Sequence, residues 1–282
     1  MITNNPMQLK AVIKKKAEEN GISAQLVMQN YMMERLLERI SISKYKQNFI
    51  LKGGFLIAAI VGLDTRTTMD MDATIKGLSL THDIISNIFN EICAIPIEDD
   101  VEFSILRISE IREGDIYPGL RVHLTANYPP LSVPLAVDIT TGDRITPREI
   151  EYFFRLMFAN RSISVLAYNL ETIFAEKLET VLSRNIANTR PRDFYDIYIL
   201  YSLRKSDYDR VILKQALEET TTRRGSQGIL GQYSTIVKSI RENVQMREFW
   251  ERYRKDFSYA ANINFDDTCK TILIMMDDIF KV

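Results

Sequence analysis

The chain has 282 residues, of which 46% are hydrophobic and 26% charged, and this composition excludes a disordered or fibrous protein. Lys plus Arg number 36 and Asp plus Glu number 37, so the net charge of -1 excludes a polycation that coats nucleic acid but allows a local basic patch. With 11 glycines and 8 prolines, helices are expected to outnumber turns, and a many-stranded β-sandwich is not expected.

The first half of the chain predicts a mixture of helices and short strands. Asn5-Pro6 is a typical helix start, that helix ends at Gly21, and Ser23 caps a second one. The elements that follow are a strand at 49–51, a helix at 55–61, a strand at 69–75, a helix from Thr81 to 93, strands at 101–109 and 119–126 joined by a charged loop with Gly114 and Pro118, and strands at 135–139 and 163–168.

After Asn169, which caps a strong helix, the pattern becomes almost entirely helical. The predicted fold is therefore α+β, with a mixed sheet and helices in residues 1–168 and a mostly helical domain in residues 169–282. The helices predicted for the second part cover residues 170–184, 191–203, 208–222, 234–243, 246–258 and 266–280.

The few cysteines and histidines argue against a thiol or imidazole site. Cys93 and Cys269 lie far apart without paired spacing, so we expect neither a disulfide framework nor a zinc site, and a reducing compartment fits. His82 and His123 belong to no metal-binding motif. The longest apolar stretch, residues 53–63, is too short to span a bilayer, and no signal peptide is visible, which predicts a cytoplasmic protein without a membrane partner.

Asp70 and Asp72 are the clearest candidates for chemistry. Side chains two apart on a strand share a face, so both carboxylates are expected to project together while Met69, Met71 and Ala73 face the core. Adjacent carboxylates repel unless a cation lies between them, and oxygen-only ligands favour Mg²⁺ or Mn²⁺. An isolated Asp-x-Asp is more often an exposed strand face, so its neighbours decide between the two interpretations.

Groups that can bind phosphate precede the acid pair. Gly53-Gly54 follows a strand and precedes a short helix, where backbone N–H groups attract anions, although such a pair is equally compatible with a tight turn. Arg66, Thr67 and Thr68 can donate hydrogen bonds to phosphate oxygens.

A third acid interrupts an apolar strand. Asp138 lies in the run Leu-Ala-Val-Asp-Ile, where a lone carboxylate needs a partner. A metal ion shared with Asp70 and Asp72 would provide that partner, and a nearby arginine would do so about as well.

The helical part adds a lysine and two acids. Lys177 and Arg184 are expected on one helix face, and Asp193 and Asp196 on one face of the next helix, a pattern that salt-bridged surface helices would also explain. Apolar residues around Lys177 predict its partial burial beside an anionic partner. A glycine turn, strand carboxylates and a helix lysine together match two-metal nucleotidyl transfer, in which Lys177 would help to neutralise the triphosphate.

Two blocks of the sequence match the motifs of a known family. The first consists of residues 51–54, 62–63 and 66–72, and the second of residues 175–184 and 190–198. Together they resemble the AbiEii/AbiGii toxin family, whose members are nucleotidyltransferase-like toxins of bacterial toxin–antitoxin and abortive-infection (phage defence) systems. The resemblance covers roughly residues 25–205, and the last part of the chain carries no such motif.

The resemblance implies a nucleotidyltransferase-like fold and a toxin that transfers a nucleotide from an NTP, with Mg²⁺, to an RNA acceptor such as the 3′ end of tRNA. It also implies a cognate antitoxin, which need not bind the toxin stably.

Residue by residue, the resemblance places Asp70 and Asp72 on the metal-binding acids, Lys177 on the motif lysine and Asp193 on the following aspartate, with Asp196 as second choice. The predicted catalytic residues are Asp70, Asp72, Lys177 and Asp193. The predicted metal ligands are Asp70 and Asp72, to which we add Asp138. The predicted nucleotide-binding residues are Gly53, Gly54, Arg66, Thr67, Thr68, Lys177, Arg184 and Asp196.

The sequence departs from the general nucleotidyltransferase motif at one position. Gly54 stands where that motif has serine, so backbone N–H groups or Thr67 and Thr68 must replace the serine hydroxyl.

Two alternative functions stay open. The acceptor can also be a small molecule such as an antibiotic, or the chain can be a non-catalytic NTP-binding regulator. A basic helical part favours RNA, and its relevant residues are Arg223, Arg224, Lys238, Arg241, Arg247, Arg252, Arg254 and Lys255.

Overall fold

The computed structural model describes residues 5–111 and 119–280, and the predicted loop with Gly114 and Pro118 lies outside them. The chain divides into two compact units. The first contains Met1–Asp143 and Ile150–Ala167, and the second contains Arg144–Glu149 and Tyr168–Val282. A short segment between two strands therefore belongs to the second unit.

The first unit is built on a mixed sheet with the strand order β3-β4-β5-β2-β1-β7-β6 among the described residues. The pairs β1–β7 and β2–β5 are parallel, and the others are antiparallel. Its elements are α1 (Pro6–Asn20), α2 (Ala24–Ile42), β1 (Phe49–Lys52), α3 (Gly53–Val61), β2 (Met71–Ile75), α4 (His82–Cys93), β3 (Glu102–Ile111), β4 (Gly119–Tyr128), β5 (Leu131–Thr141), β6 (Ile150–Arg155) and β7 (Ser162–Ala167).

Local signals set the ends of the first two helices. The Asn5 side chain accepts a hydrogen bond from the Met7 N–H, and Gly21 ends α1 in the left-handed conformation at φ 62°. The Ser23 hydroxyl accepts from the Leu26 N–H and so begins α2. These are the helix boundaries that the capping residues predict.

The core of the sheet follows its alternation. On β2, Met71 and Ala73 are buried, at 1% and 3% exposure, as the strand pattern predicts. Met69 is 46% exposed, so the prediction that it faces the core is wrong. The reason is that β2 begins only at Met71, which leaves Met69 outside the pleat.

The largest departures from the predicted strands are at β6 and β5. β6 was not predicted, because its edge position leaves most of Ile150–Arg155 exposed and gives no regular hydrophobic alternation. β5 begins earlier than predicted, because it pairs with β4 from Leu131 onward. The glycine pair belongs to the first turn of α3 and does not precede it as a separate turn.

The second unit is helical, and the predicted α+β architecture, a mixed sheet followed by helices, is confirmed. Its core includes the fully buried Trp250, whose indole N–H donates to the Ile263 carbonyl at 3.0 Å. No described helix is both long and apolar enough to cross a membrane. The helices are α5 (Leu170–Arg184), α6 (Pro191–Arg204), α7 (Arg210–Arg224), α8 (Tyr233–Glu242), α9 (Val244–Asp256) and α10 (Phe265–Phe280).

Candidate functional site

Four charged residues form a row across neighbouring strands of the first unit, and we call it the charged row. Lys52 on β1 pairs with Asp72 on β2, which pairs with Asp138 on β5, which pairs with Arg121 on β4. Directly paired residues project to the same face of a sheet, so the four side chains share one face. Two acids therefore lie side by side between two basic residues.

Asp72 lies directly against the glycine pair that opens α3. A Cβ atom at Gly53 would lie 2.1 Å from Asp72 Oδ2, and Gly53 has a φ of +66°, so a residue without a side chain is required on both counts. The Gly54 N–H donates to Asp72 Oδ2 over 3.4 Å. The glycine pair thus brings the start of a helix, with its backbone N–H groups, to a strand carboxylate.

The space beside Gly54 is filled by side chains from the segment before β2. A Cβ atom at Gly54 would lie 2.8 Å from Thr68 Oγ1 and 3.2 Å from Arg66 Nη2. The Thr68 hydroxyl therefore lies directly beside the position that the first side-chain atom of residue 54 would take. Arg66 is 2% exposed and donates to the Thr67 carbonyl, so its guanidinium supports this segment from within.

Asp70 comes one residue before β2 and is partly buried. The segment leading to it is fixed by two amides of α2. The Gln29 side chain donates to the Met69 carbonyl at 3.1 Å, and the Asn30 side chain donates to the Thr68 carbonyl at 2.9 Å. Backbone held in this way keeps Asp70 beside the strand that carries Asp72.

Asp138 has an arginine partner. Arg121 Nε donates to Asp138 Oδ1 at 2.6 Å and Arg121 Nη2 donates to Asp138 Oδ2 at 2.7 Å, a bidentate pair. These hydrogen bonds, with the charges of Asp138, Asp70 and Asp72, raise the pKa of Arg121 above its usual range despite partial burial. The arginine considered as a partner for Asp138 from the sequence is thus Arg121, and the assignment of Asp138 as a metal ligand stays a prediction.

A buried ion pair at the other end of the row was missed by the sequence analysis. Lys52 Nζ contacts the Asp143 carboxylate and lies 2.6 Å from Thr140 Oγ1, and the hydroxyls of Thr74 and Thr140 also donate to Asp143. Burial alone would raise the pKa of Asp143, but Lys52 and the two hydroxyls outweigh it and hold that pKa well below its usual range. The available signal was a lysine ending an apolar strand directly before the glycine pair.

This ion pair gives a stability prediction. We expect Asp143→Asn to lower the free energy of unfolding at pH 7 by about 3–5 kcal/mol, because Lys52 would remain buried without its counter-ion. The folded-state pKa of Asp143 lies below the unfolded value, so the stabilisation is present above about pH 4 and is lost as the pH falls further. Urea unfolding of both proteins at pH 7 and pH 3 measures this difference.

The double variant Lys52→Met plus Asp143→Asn is the control, since it removes the unpaired charge and should recover part of the loss. An equal difference between wild type and Asp143→Asn at both pH values would contradict the predicted role of the ion pair.

The oxygens of Asp70 and Asp72 suit a divalent cation. Mg²⁺ is commonly bound through one or two carboxylates, with waters and substrate phosphates completing its coordination. No cluster of three or more histidine, cysteine or acidic side chains suited to a metal occurs within residues 5–111 and 119–280.

The predicted lysine and aspartates of the second unit form an ion triad. Lys177 Nζ lies 2.7 Å from Asp193 Oδ1 and 2.8 Å from Asp196 Oδ2, and Asp196 is fully buried. Burial alone would lower the pKa of Lys177, but the charges of Asp196 and Asp193 outweigh it and raise that pKa, so the lysine is a cation. Arg184 is exposed at the end of α5.

The structure thus groups the predicted residues into two sets, each within one unit. One set is the ion triad of the second unit, Lys177, Asp193 and Asp196. For both sets, the assignment of the residues to catalysis or nucleotide binding stays a prediction. The residues of the first unit that lie around the start of α3 and β2 are Gly53, Gly54, Arg66, Thr67, Thr68, Asp70, Asp72 and Asp138.

Solved structures with a similar fold include proteins from two bacteria. The chain aligns with MenT4, a nucleotidyltransferase toxin from Mycobacterium tuberculosis H37Rv, at a TM-score of 0.53 and 13% identity, covering 96% of this chain and 98% of that one. It aligns with a candidate nucleotidyltransferase from H. pylori at a TM-score of 0.51 and 15% identity, covering 92% and 96%. At these identities the likeness concerns the fold.

Among curated proteins, none matches the sequence significantly. The family described as the nucleotidyl transferase AbiEii toxin of type IV toxin–antitoxin systems matches residues 35–270, which is well over half of the chain. The predicted resemblance is thereby confirmed, and the protein belongs to the AbiEii family of nucleotidyltransferase toxins.

Proposed function

We propose that this toxin transfers a nucleotide from an NTP to an RNA acceptor, the 3′ end of tRNA, in a reaction that requires Mg²⁺. The observation that carries the proposal is the close approach of Asp72 to the glycine pair at the start of α3. Asp72 Oδ2 would lie only 2.1 Å from a Cβ atom added at Gly53. This arrangement supports transfer because it brings phosphate-binding backbone and a metal-binding carboxylate together.

The residues of the first unit divide the work of binding the NTP. The N–H groups at the start of α3 can donate hydrogen bonds to phosphate oxygens, which compensates for the absence of a serine at position 54. The Thr68 hydroxyl donates to the Asp70 carbonyl at 3.2 Å and so helps to hold Asp70 in place. Asp70 and Asp72 would hold the divalent cation, which when bound polarises the phosphate and favours ionisation of the attacking hydroxyl. The RNA hydroxyl then attacks the α-phosphorus, and pyrophosphate leaves.

The charge pattern of the second unit supports an RNA acceptor. Exposed basic residues occur on α8, at Lys238 and Arg241, and on α9, at Arg252 and Lys255. Arg252 also lies over the Phe249 ring, 5.0 Å from its centroid. Basic and aromatic side chains together are typical of surfaces that bind nucleic acid.

Several other basic residues counted from the sequence are engaged in ion pairs. Arg224 contacts Glu179 and Glu176, and Arg247 lies 2.7 Å from Asp266. Reversing the charge of Arg224 would place a third carboxylate beside two others and destabilise the fold, so it is a poor probe of RNA binding.

Membership of a toxin–antitoxin family implies an NTP substrate and an antitoxin partner. We propose that growth inhibition results from the modified RNA and ends when the antitoxin neutralises the enzyme. The proposal places the protein in the cytoplasm, where the NTP and tRNA are available.

The proposal is tested by incubating the protein with each labelled NTP, Mg²⁺ and tRNA. We expect labelled tRNA, and labelling at limiting tRNA should fall steeply with salt because RNA binding releases counterions. The variant Lys238→Glu plus Lys255→Glu should lower the apparent tRNA affinity about tenfold or more and flatten its salt dependence. Its NTP affinity should stay at the wild-type value.

The matched control carries the same change in charge on α1, at Lys14 and Lys15, whose side chains are 75% and 79% exposed. Their ion pairs with Glu18 and Glu19, at 3.8 and 3.9 Å, are exposed to solvent and contribute little to stability, unlike the contacts of Arg224. Labelling that does not depend on salt or on either variant would favour a small-molecule acceptor. Absence of any transfer with every NTP, together with NTP binding, would favour a regulator.

A further inference from the structure

Arg121 occupies both carboxylate oxygens of the acid that pairs with Asp72. The two contacts, at 2.6 and 2.7 Å, have the parallel geometry of a bidentate guanidinium–carboxylate pair. In the sheet, Asp138 on β5 is paired with Arg121 on β4 at one side and with Asp72 on β2 at the other. A divalent cation on Asp138 would have to approach a carboxylate whose charge a guanidinium already neutralises.

The ion pairs of the row point to the same division of roles. The pair of Arg121 and Asp138 is neutral overall, and so is the pair of Lys52 and Asp143. The charge of Asp138 is therefore already balanced by a side chain of this protein.

The position of Arg121 suits contact with a bound polyphosphate. Its side chain is 35% exposed, whereas that of Asp138 is 16% exposed, so the guanidinium is the more accessible member of the pair. Arg121, Asp138 and Asp72 are paired in turn across three neighbouring strands, so Arg121 projects from the same sheet face as Asp72, where an NTP with its cation would bind in the proposed reaction. Arginine has five N–H donors, and the fork to Asp138 uses two of them.

We propose that Arg121 is an NTP-binding residue that contacts the polyphosphate, and that Asp138 positions Arg121 and is not a metal ligand. The inference rests on the proposed metal-dependent transfer, and it replaces the third acidic ligand expected from the sequence with a fixed guanidinium. Asp138 acts through Arg121, because the bidentate fork fixes both the plane and the location of the guanidinium.

The test separates metal binding from nucleotide binding. Mn²⁺ is titrated without nucleotide, followed by electron paramagnetic resonance, into the wild type and into Asp72→Asn, Asp138→Asn and Arg121→Gln. We expect Asp72→Asn to weaken Mn²⁺ binding about tenfold or more, while Asp138→Asn stays close to the wild type. Arg121→Gln should bind Mn²⁺ at least as tightly as the wild type, because a nearby positive charge is lost.

Nucleotide binding is then measured by calorimetry with a non-hydrolysable NTP analogue and Mg²⁺. We expect Arg121→Gln to weaken binding about tenfold to a hundredfold, since a charge-assisted contact is lost, and Asp138→Asn to weaken it less. Arg121→Lys should restore part of the affinity, because it keeps the charge but not the fork.

Unfolding midpoints of all variants are recorded, and the double variant Arg121→Gln plus Asp138→Asn, which leaves a neutral amide pair, serves if either single variant is unstable. The proposal is overturned if Asp138→Asn weakens Mn²⁺ binding as strongly as Asp72→Asn, or if Arg121→Gln and the double variant bind the analogue like the wild type. If the wild type binds Mn²⁺ only when the NTP analogue is present, the same variants are compared with the analogue at saturation, and the same difference between Asp72→Asn and Asp138→Asn is expected. If the wild type binds no Mn²⁺ even with the analogue, while Arg121→Gln still weakens analogue binding, the metal requirement fails and the role of Arg121 stands.

Discussion

Asp72→Asn is expected to reduce nucleotide transfer about a thousandfold or more, because in the proposed site it replaces a negatively charged oxygen ligand of the cation by an amide. The change preserves the size of the side chain. It also removes one of three neighbouring carboxylate charges, those of Asp70, Asp72 and Asp138, and so lowers the repulsion between them. We therefore expect the fold and its unfolding midpoint to be retained. The measurement is incorporation of labelled nucleotide into tRNA at saturating NTP.

The control for this variant is Asp83→Asn, which makes the same chemical change at a side chain that is 99% exposed on α4. Transfer by the control should equal that of the wild type. A purified, folded Asp72→Asn protein that still transfers nucleotide at the wild-type rate would remove Asp72 from the site.

Gly53→Ala is expected to abolish transfer and to destabilise the first unit. An added Cβ atom would lie 2.1 Å from Asp72 Oδ2 and 2.6 Å from its Cγ, so the aspartate or the start of α3 must move. The φ of +66° adds a backbone cost for any residue with a side chain. We expect a loss of about 1–3 kcal/mol in the free energy of unfolding from this conformation alone, measured by urea unfolding beside the transfer assay.

Gly21→Ala separates the two effects. Gly21 has a similar φ of +62°, but a Cβ atom there would meet nothing within 4 Å. The variant should therefore show the backbone cost while its transfer rate stays that of the wild type. Equal transfer by Gly53→Ala and Gly21→Ala would mean that the contact of Gly53 with Asp72 has no role in the reaction.

Features that depend on local sequence were predicted well. Asn169 caps α5 by accepting a hydrogen bond from the Thr172 N–H at 2.8 Å, and Pro191 begins α6, so the ends of both helices follow from single residues. The placement of Asp193 and Asp196 on one face of α6, where both contact Lys177, also follows from helical spacing. Such features need no knowledge of distant partners.

The remaining features depend on strand pairing, which a single sequence does not specify. Arg121 meets Asp138 because β4 and β5 pair in one particular register, and the sequence distance between them gave no sign of this. Lys52 meets Asp143 because β1 and β5 both pair with β2. The exposure of Met69 depends on where β2 begins, which is also decided by its partners.

The segment Arg144–Glu149 has a consequence for experiments that use parts of the toxin. It is bound within the second unit, where the Thr146 N–H donates to Thr172 Oγ1 at 3.1 Å and Arg144 lies 2.7 Å from Glu219, although the chain returns to the sheet directly afterwards. The polypeptide therefore passes between the units three times. A cut at residue 168 would leave this segment on the wrong fragment, so neither half would carry a complete set of its own contacts, and the toxin has to be produced and assayed as one uninterrupted chain.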